Sequence, residues 1–374
     1  MKIANKIRIY PTKEQEEQFR KFCGTARWCW NESLAYRKER YEKQGLSTTI
    51  QHGIEHIQEL KHCHEEYAWV KETPEAVTKQ AIKDLDKAFR SFFQNGWGFP
   101  KFKKKGKSRE SFYQRTDNFR QVDETHIKIT GIKKPVKVKK IQIPEKVLNT
   151  RVSFDGKYWY ISYTYDRKEK QSAGKGSLGV DLGVKELAVV SNGNVYKNIN
   201  RTPAVRKLEK RKKRLQRKLS RKYEKNRQGN RFVKTANIRK LEQRIRLLDR
   251  RLSDIRNTYI HTITSELVKT TPERIVIEDL NVKGMLKNRH LSKAVAGQGF
   301  YKFRQYLSYK CQLNGIRLEV ADRWYPSSKI CSCCGNRKNQ LSLSERIYKC
   351  EVCGLEIDRD FNASINLSKY RKTA

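Results

Sequence analysis

No run of about 18 consecutive apolar residues occurs in this sequence, so no segment is long and greasy enough to span a bilayer as a helix, and a membrane role would be peripheral. The opening stretch MKIANKIRIYPTKEQEEQF carries a charge every few residues and lacks the apolar centre of a secretory signal. The expected location is therefore the cytoplasm, on the nucleoid. Acidic residues are scarce, with 40 Asp and Glu against 83 Lys and Arg and a formal charge of +43. Like charge on this scale repels itself unless a polyanion neutralises it, which excludes most small-molecule enzymes and leaves nucleic acid or an anionic surface. Apolar residues make up a low 37% of the 374, yet they fall in periodic segments, unlike those of a disordered basic tail. A chain of this length suits two or three domains. Its nine cysteines, without an export signal, point to metal ligation or reduced thiols rather than disulfides.

Ile3 to Tyr10 reads as a strand closed by Pro11, and Thr12 with Glu14 and Glu16 reads as the start of an aromatic-rich helix running to about Tyr41. A second helix follows Pro74, where Val77, Ala81, Leu85 and Phe89 form one stripe, leaving Lys79, Gln80, Lys83 and Lys87 on the other face. Alternation at period two in HIKIT, VKVKKIQI and KYWYISYTY predicts strands between about residues 125 and 166. With the first strand these suggest a small β-barrel interrupted by helices. The Ser/Gly/Lys stretch at 171–177 marks the boundary between a first domain, 1–172, and a second, 173–374.

Two regions carry the excess of positive charge. GWGFPKFKKKGKS sets Lys101, Lys103, Lys104, Lys105 and Lys107 beside Phe99 and Phe102. This reads as a basic loop, able to touch phosphates or simply to be solvated, with rings that either stack on bases or are buried. Residues 205–256 hold 22 Lys and Arg against five acids around the break KNRQGNR. There Ile238, Leu241, Ile245, Leu248, Leu252 and Ile255 step by threes and fours, and Val205, Leu208, Leu215 and Leu219 nearly do so, with Lys212 in the seam. The pattern predicts a helical hairpin, spanning about 203–256, that walls a nucleic-acid groove.

Cys331 and Cys334 form one C-x-x-C pair and Cys350 and Cys353 another, each followed by glycine (Gly335, Gly354), with 15 residues between the pairs. Two such knuckles bring four thiolates to one tetrahedral Zn²⁺ with no open position, which makes the metal structural. The ribbon spans about 326–356. Cys333 breaks the spacing and is left out, and Cys23, Cys29, Cys63 and Cys311 are expected to be buried small hydrophobes.

SLGVDLGVKELAVVSNGNVY opens with an apolar strand that holds Asp181 in its middle and continues into a hairpin, with Asn192-Gly193 suggesting a type I′ turn. IVIEDL is a buried-type strand ending in Glu278 and Asp279, and EIDRDFNASINL sets Asp358 and Asp360 ahead of a helix. Buried carboxylates need partners or cations. The order of strand, hairpin, later strand and helix, each giving one acid, matches an RNase H-like core in which two Mg²⁺ ions serve phosphodiester hydrolysis. Asp181, Glu278 and Asp360 are the expected ligands. Asp358 is left as a cap for the helix and Asp279 as a partner of basic surface.

Taken together, GVDLGVKELAVV, IVIEDLNVKGM, YPSSKICSCCG, CEVCG and DRDFNASINL resemble the TnpB family, transposon-encoded RNA-guided DNA endonucleases related to compact type V CRISPR effectors. The resemblance runs over nearly the whole chain, and its carboxy-terminal motifs are the more specific. It implies an α+β multidomain protein: a wedge-type β-barrel with an inserted helical recognition domain at about 12–122, then an RNase H-like RuvC nuclease domain carrying the zinc ribbon. It also implies a guide RNA from the transposon end that pairs with target double-stranded DNA beside a short adjacent motif. Asp181, Glu278 and Asp360 take the places of the family's three catalytic acids. Pairing would then supply sequence specificity while Lys and Arg grip backbone shape. The face with Lys79, Gln80 and Lys83 is the candidate reader of the adjacent motif. Two rivals remain open, a transposase joining ends through the same acids and a regulator that binds without cutting.

Overall fold

A computed structural model of the protein describes residues 1–170, 174–342 and 345–371, and it divides into two units, Met1–Arg167 and Lys168–Ala374. The expected boundary stretch at 171–177 lies partly outside the described residues.

In the first unit, β1 (Lys2–Tyr10) leads into α1 (Lys13–Gln44). Thr12 starts that helix reciprocally: its Oγ1 accepts from the Gln15 N–H at 3.3 Å, and Gln15 Oε1 accepts from the Thr12 N–H at 3.0 Å. The helix ends at Gly45, whose φ of +65° suits the left-handed cap. Then come α2 (Ile50–Cys63), a 3₁₀ segment (Glu65–Glu72) and α3 (Glu75–Asn95). Val77, Ala81 and Leu85 of α3 are buried, as their spacing predicts. The strands are β2 (Glu110–Gln114), β3 (Arg120–Asp123), β4 (His126–Lys128), β5 (Val136–Val138), β6 (Asn149–Phe154) and β7 (Trp159–Asp166). Since β2 already belongs to the sheet, the helical run covers 13–95, shorter than the expected 12–122.

The seven strands order as β2-β6-β7-β1-β5-β4-β3, with β1 at the centre. The sheet curls into a half-barrel whose two end strands do not pair, so the expected small β-barrel is an open one. At the seam a side chain replaces the missing ladder: buried Gln114 Nε2 donates to Thr130 Oγ1 at 2.7 Å, and Gln114 Oε1 accepts from the Thr130 N–H at 2.9 Å. The same device shortens the VKVKKIQI strand to Val136–Val138. Beyond it, Gln121 Nε2 donates to the Ile141 carbonyl at 2.7 Å, and the Ile143 N–H donates to Gln121 Oε1 at 2.9 Å. Phe19 and Phe22 of α1 fill the concave side against Phe112, Val152, Trp159 and Ile161.

The second unit begins with β8 (Ser177–Leu182), β9 (Glu186–Val190) and β10 (Val195–Lys197), all antiparallel. Gly193 alone in their turn has positive φ, +90°, and its N–H bonds the Val190 carbonyl at 2.9 Å. A type I′ turn needs two such residues, so the expected turn is corrected to a three-residue loop that ends on glycine. Next come α4 (Pro203–Lys225), a ribbon of β11 (Arg227–Gln228) and β12 (Arg231–Phe232), and α5 (Ala236–Lys269). The predicted hairpin seam is present, with Ile238, Leu241, Ile245, Leu248 and Leu252 buried and Lys212 paired across it to Asp249. The helix runs thirteen residues past the expected Arg256. Its last turns carry Ile260, Ile263, Leu267 and Val268 into the core.

β13 (Arg274–Ile277) follows, then α6 (Val282–Lys287), α7 (Ser292–Gln298), α8 (Phe300–Leu313), β14 (Arg317–Val320), β15 (Ile347–Lys349), β16 (Glu356–Asp358) and α9 (Arg359–Lys369). The sheet order is β10-β9-β8-β13-β14, with β13 parallel to both neighbours. Leu178, Val180, Ile275 and Ile277 turn to the face covered by α5 and α8, while Val276 turns to the other face, against Leu367 of α9. Among the described residues no helix is long and apolar enough to cross a membrane.

Candidate functional site

Strand alternation places the first two acids. Val180 lies on the α5/α8 face, so Gly179 and Asp181 lie on the α9 face. In the parallel pairing Val276 is level with Gly179 and Ile277 with Val180. One residue further along both strands brings Glu278 level with Asp181. Two acids thus stand side by side at the carboxyl ends of adjacent parallel strands, where α/β sheets place their ligands.

Helix α9 supplies the third acid. It comes so close to Gly179 that a Cβ there would run into the Ser364 carbonyl and the Ser368 N–H. From Gly179 to Asp181 is two strand residues, ~6.6 Å, and from Ser364 back to Asp360 is about one helical turn, ~6 Å. The helix runs against the strand direction, and Asp360 comes over Asp181. Asp358 caps α9, its Oδ1 accepting from the N–H groups of Asp360 and Phe361, both at 3.0 Å. Its expected role as a cap is the one it plays.

The electrostatics record this crowding. Burial pushes the Asp181 carboxyl well above its ordinary range, and the charges of Glu278 and Asp360 push it further, against a pull from Arg359. Glu278 is raised by burial and then by Asp279. Hard carboxylate oxygens from three elements gather here, and burial works against the charge on two of them, Asp181 and Glu278; a divalent cation offsets such crowded negative charge, so the donor set fits Mg²⁺. Arg359 bridges to Asp360 at 3.3 Å. Asp279 faces basic surface, accepting from Arg323 Nη2 at 2.7 Å and from Arg304 Nη1 at 3.4 Å.

The four predicted thiols converge. Cys331, Cys334, Cys350 and Cys353 bring their sulfurs within 4.8 Å of one another, and they are the one such set among the described residues; the three carboxylates do not close that tightly. The two knuckles repeat one geometry. The N–H of Gly335 donates to the Cys331 carbonyl at 3.0 Å and that of Gly354 to the Cys350 carbonyl at 3.1 Å, with φ of +78° and +71° at the two glycines. The Cys353 N–H, directed at the Cys350 sulfur, is the main cause that draws this thiol down to about 6, which favours the thiolate a soft cation needs. The donor set fits Zn²⁺. Cys333 is exposed and outside the cluster. Cys23, Cys29 and Cys311 are buried and raised to about 12 by that burial, whereas Cys63, expected to be buried, is exposed near the end of its helix.

Two asparagines one turn apart tie the first knuckle to α9. Asn362 accepts from the Ser332 N–H at 2.9 Å and donates to the Ile330 carbonyl at 2.7 Å. Asn366 donates to the carbonyls of Ser327 and Ile330 at 2.8 and 2.6 Å. Both are buried. The helix is held by the sheet on one side and by the knuckle on the other.

The nucleic-acid candidates of the first unit have local partners. Lys79 pairs with Glu75 at 2.7 Å, Gln80 donates to Asp84 at 3.0 Å, and Lys83 is exposed. Lys101, Lys104 and Lys105 are exposed, while Lys103 sits 3.6 Å over the Trp30 ring and is lowered to about 8 by burial. Phe99 and Phe102 are both exposed. Sequence reasoning missed Gly179, Arg304, Arg323, Arg359 and the Asn362–Asn366 strap. The signal for Arg359 was its place between two acids in IDRDF. The others depend on residues distant in sequence.

The chain is an α+β protein with a curled half-barrel sheet and a four-thiol cluster. The solved assembly described as "Cryo-EM structure of the Cas12f1-sgRNA-target DNA complex" superposes with a TM-score of 0.59 at 17% identity, covering 96% of this chain and 83% of the other. Residues 300–367 match the family description "Cas12f1-like, TNB domain", residues 160–289 the description "Probable transposase" and residues 1–45 the description "Helix-turn-helix domain". Here that last stretch is a strand and one continuous helix, with no turn between helices. A Streptomyces pristinaespiralis protein named "Putative RNA-guided DNA endonuclease" is 29% identical over 98% of this chain and 89% of its own length. The Escherichia coli K12 protein named "Putative RNA-guided DNA endonuclease InsQ" is 28% identical over 97% of this chain and 91% of its own. With these domain matches and relatives, the chain is a TnpB-like protein.

Proposed function

We propose that this chain is an RNA-guided DNA endonuclease that binds a transposon-derived guide RNA and cuts complementary double-stranded DNA. The observation that carries the reading is the convergence of Asp181, Glu278 and Asp360 from three distant segments on one face of the sheet. The names of the two relatives support the guide RNA and the DNA target, and the +43 charge supports a polyanionic partner. In this reading residues 1–172 are a wedge and recognition domain and 173–374 a RuvC nuclease domain with a zinc ribbon. The sheet order supports an RNase H-like core, with three antiparallel strands followed by two parallel ones.

Asp181, Glu278 and Asp360 would hold two Mg²⁺ ions, and Cys331, Cys334, Cys350 and Cys353 one Zn²⁺. When bound, Mg²⁺ supplies a more acidic water and offsets the charge on the cut phosphodiester. The chain's own groups prepare that site. Burial first, and neighbouring carboxylates second, raise Asp181 and Glu278, and a bound cation would favour the ionised form of both. Asp358 holds the first turn of α9, and the asparagine strap holds its outer face, so Asp360 cannot swing away from Asp181. Lys101, Lys104 and Lys105 offer exposed charge for phosphates, and Lys103 anchors the loop on Trp30. Lys79, Gln80 and Lys83 remain the proposed readers of the adjacent motif. If Gln80→Ala leaves both the motif preference and the cutting rate unchanged, that assignment is wrong.

The test is to purify the chain expressed with its flanking DNA at high salt and to sequence whatever RNA remains. One discrete RNA that directs Mg²⁺-dependent cutting of matched DNA, lost in Asp181→Ala with binding retained, is the expected result. Heterogeneous RNA with specific binding to transposon ends would favour the transposase reading, which the description of residues 160–289 keeps in view.

A further inference from the structure

A cleft of about 540 Å³ opens beside the acid cluster, with Glu278 in its lining and neither Asp181 nor Asp360. Leu182 and Ile277 form part of its apolar floor, and Arg304, Arg323, Lys283 and Tyr301 stand around it. We propose that this cleft is a phosphate-binding subsite for the strand being cut, with Arg304 and Arg323 as the clamp and Asp279 as its brace. The proposal rests on the nuclease reading above.

Charge and exposure carry the argument. Asp279 accepts from Arg323 on one carboxylate oxygen and from Arg304 on the other. Each guanidinium has five N–H donors; one from each arginine goes to Asp279, and both side chains stay about half exposed, at 53% and 47%. The cleft is lined by three basic side chains, Lys283, Arg304 and Arg323, against two acids, Glu278 and Asp279, an excess of one positive charge that complements a single phosphodiester. As surface ion pairs these contacts contribute little to stability, so holding the fold together is a weak reason for them. Orientation is a stronger one. Braced by one carboxylate, two planar forks are aimed before a ligand arrives, and the bidentate geometry of guanidinium suits phosphate oxygens. The Tyr301 ring, 70% exposed at the rim, gives a neighbouring base a face to stack on, which favours a nucleotide over a bare anion. Position completes the case, since Glu278 itself lines the cleft at the carboxyl end of the sheet, and a phosphate held by the arginines lies near that one acid of the cluster.

A chemical cycle tests this. The RNA-loaded wild-type protein and the Arg304→Gln/Arg323→Gln variant are compared in single-turnover cutting of targets in which one linkage at a time is an uncharged methylphosphonate. For wild type, one neutral linkage near the cut is expected to slow cutting about tenfold to a hundredfold, the scale of a charge-assisted hydrogen bond. In the variant the ordinary target is slowed by a similar factor, and the neutral linkage costs nothing further. Arg304→Lys/Arg323→Lys keeps the charge without the fork and should fall between. Arg317→Gln, which removes an equally exposed charge from β14, should keep the full wild-type penalty. If the variant shows the wild-type penalty, or if no neutral linkage slows wild type, the subsite is wrong while the nuclease reading stands. If RNA-loaded wild type cuts no target at all, the nuclease reading fails and the subsite with it.

Discussion

Replacing Gly179 with alanine adds one methyl group at the point where β8 and α9 touch. The added carbon meets the Ser364 carbonyl and Ser368 N–H, and lies 3.0 Å from the Leu367 carbonyl carbon. All three are backbone, so no rotamer relieves the clash, and the helix has to retreat by roughly an ångström. Overpacking of this kind costs about 1–3 kcal/mol, which in a unit of this size lowers Tm by about 2–4 °C per kcal/mol. The effect on cutting should be larger than the effect on stability. Asp360 rides on the same helix one turn away, and a displacement near 1 Å from productive geometry costs about a hundredfold in rate. Zinc content should remain one ion per chain, because knuckle and helix move together through the asparagine strap. The assay is single-turnover cutting by the RNA-loaded variant beside thermal unfolding and metal analysis. Gly98→Ala serves as the control, since a Cβ there meets nothing within 4 Å. If Gly179→Ala cuts within about twofold of wild type, a rate change worth the ±0.5 kcal/mol of an ordinary surface substitution, then the contact between β8 and α9 does not set the position of Asp360.

A Cys331→Ala/Cys350→Ala variant should lose its zinc and most of its cutting while its guide RNA still binds; unchanged zinc by metal analysis would remove the four-thiolate assignment. Asn362→Ala strands the buried Ser332 N–H and deprives the Ile330 carbonyl of one of its two donors, about 1–3 kcal/mol per unsatisfied group. It should release zinc to a chelator faster than wild type, and an unaltered release rate would mean the strap does not support the knuckle. Asp181 and Glu278 are raised above the usual carboxylate range, so their contribution to the metal-free fold is full in acid and is lost as pH rises through those raised values. Asp181→Asn should therefore raise the Tm at pH 7 in chelator while lowering cutting more than about a hundredfold, the several kcal/mol a metal site supplies; a lowered Tm would contradict the electrostatic account.

How far the sequence spoke for the fold depended on how local each signal was. The thiol knuckles are short, and their spacing and glycines sufficed. Asp181 stood out because an acid inside an apolar strand has few innocent reasons, and Asp358 announced itself as a cap by preceding a helix. The end of α5 was missed because that helix changes partners midway. Its stripe faces α4 as far as Leu252 and resumes on the sheet side at Ile260, so the three-and-four rhythm breaks where the helix does not. The open barrel was hidden for a different reason: two glutamine side chains do work that a ladder would otherwise do, and alternation cannot reveal that. Gly179 and the arginines around Asp279 depend on contacts between segments far apart, which no single-sequence periodicity carries.

The unbroken length of α5 has a mechanical consequence. Its 34 residues make a rod of ~51 Å at 1.5 Å per residue. Its first half is gripped by basic α4, and its second half lies under the strands that carry Asp181 and Glu278. From Ala236 to Ile260 the arm is ~36 Å, so a tilt of about 5° about the buried end swings the tip by roughly 3 Å. A polyanion seated among the lysines of α4 would pull on the long arm of a beam whose short arm underlies the sheet, on the face opposite the acid cluster.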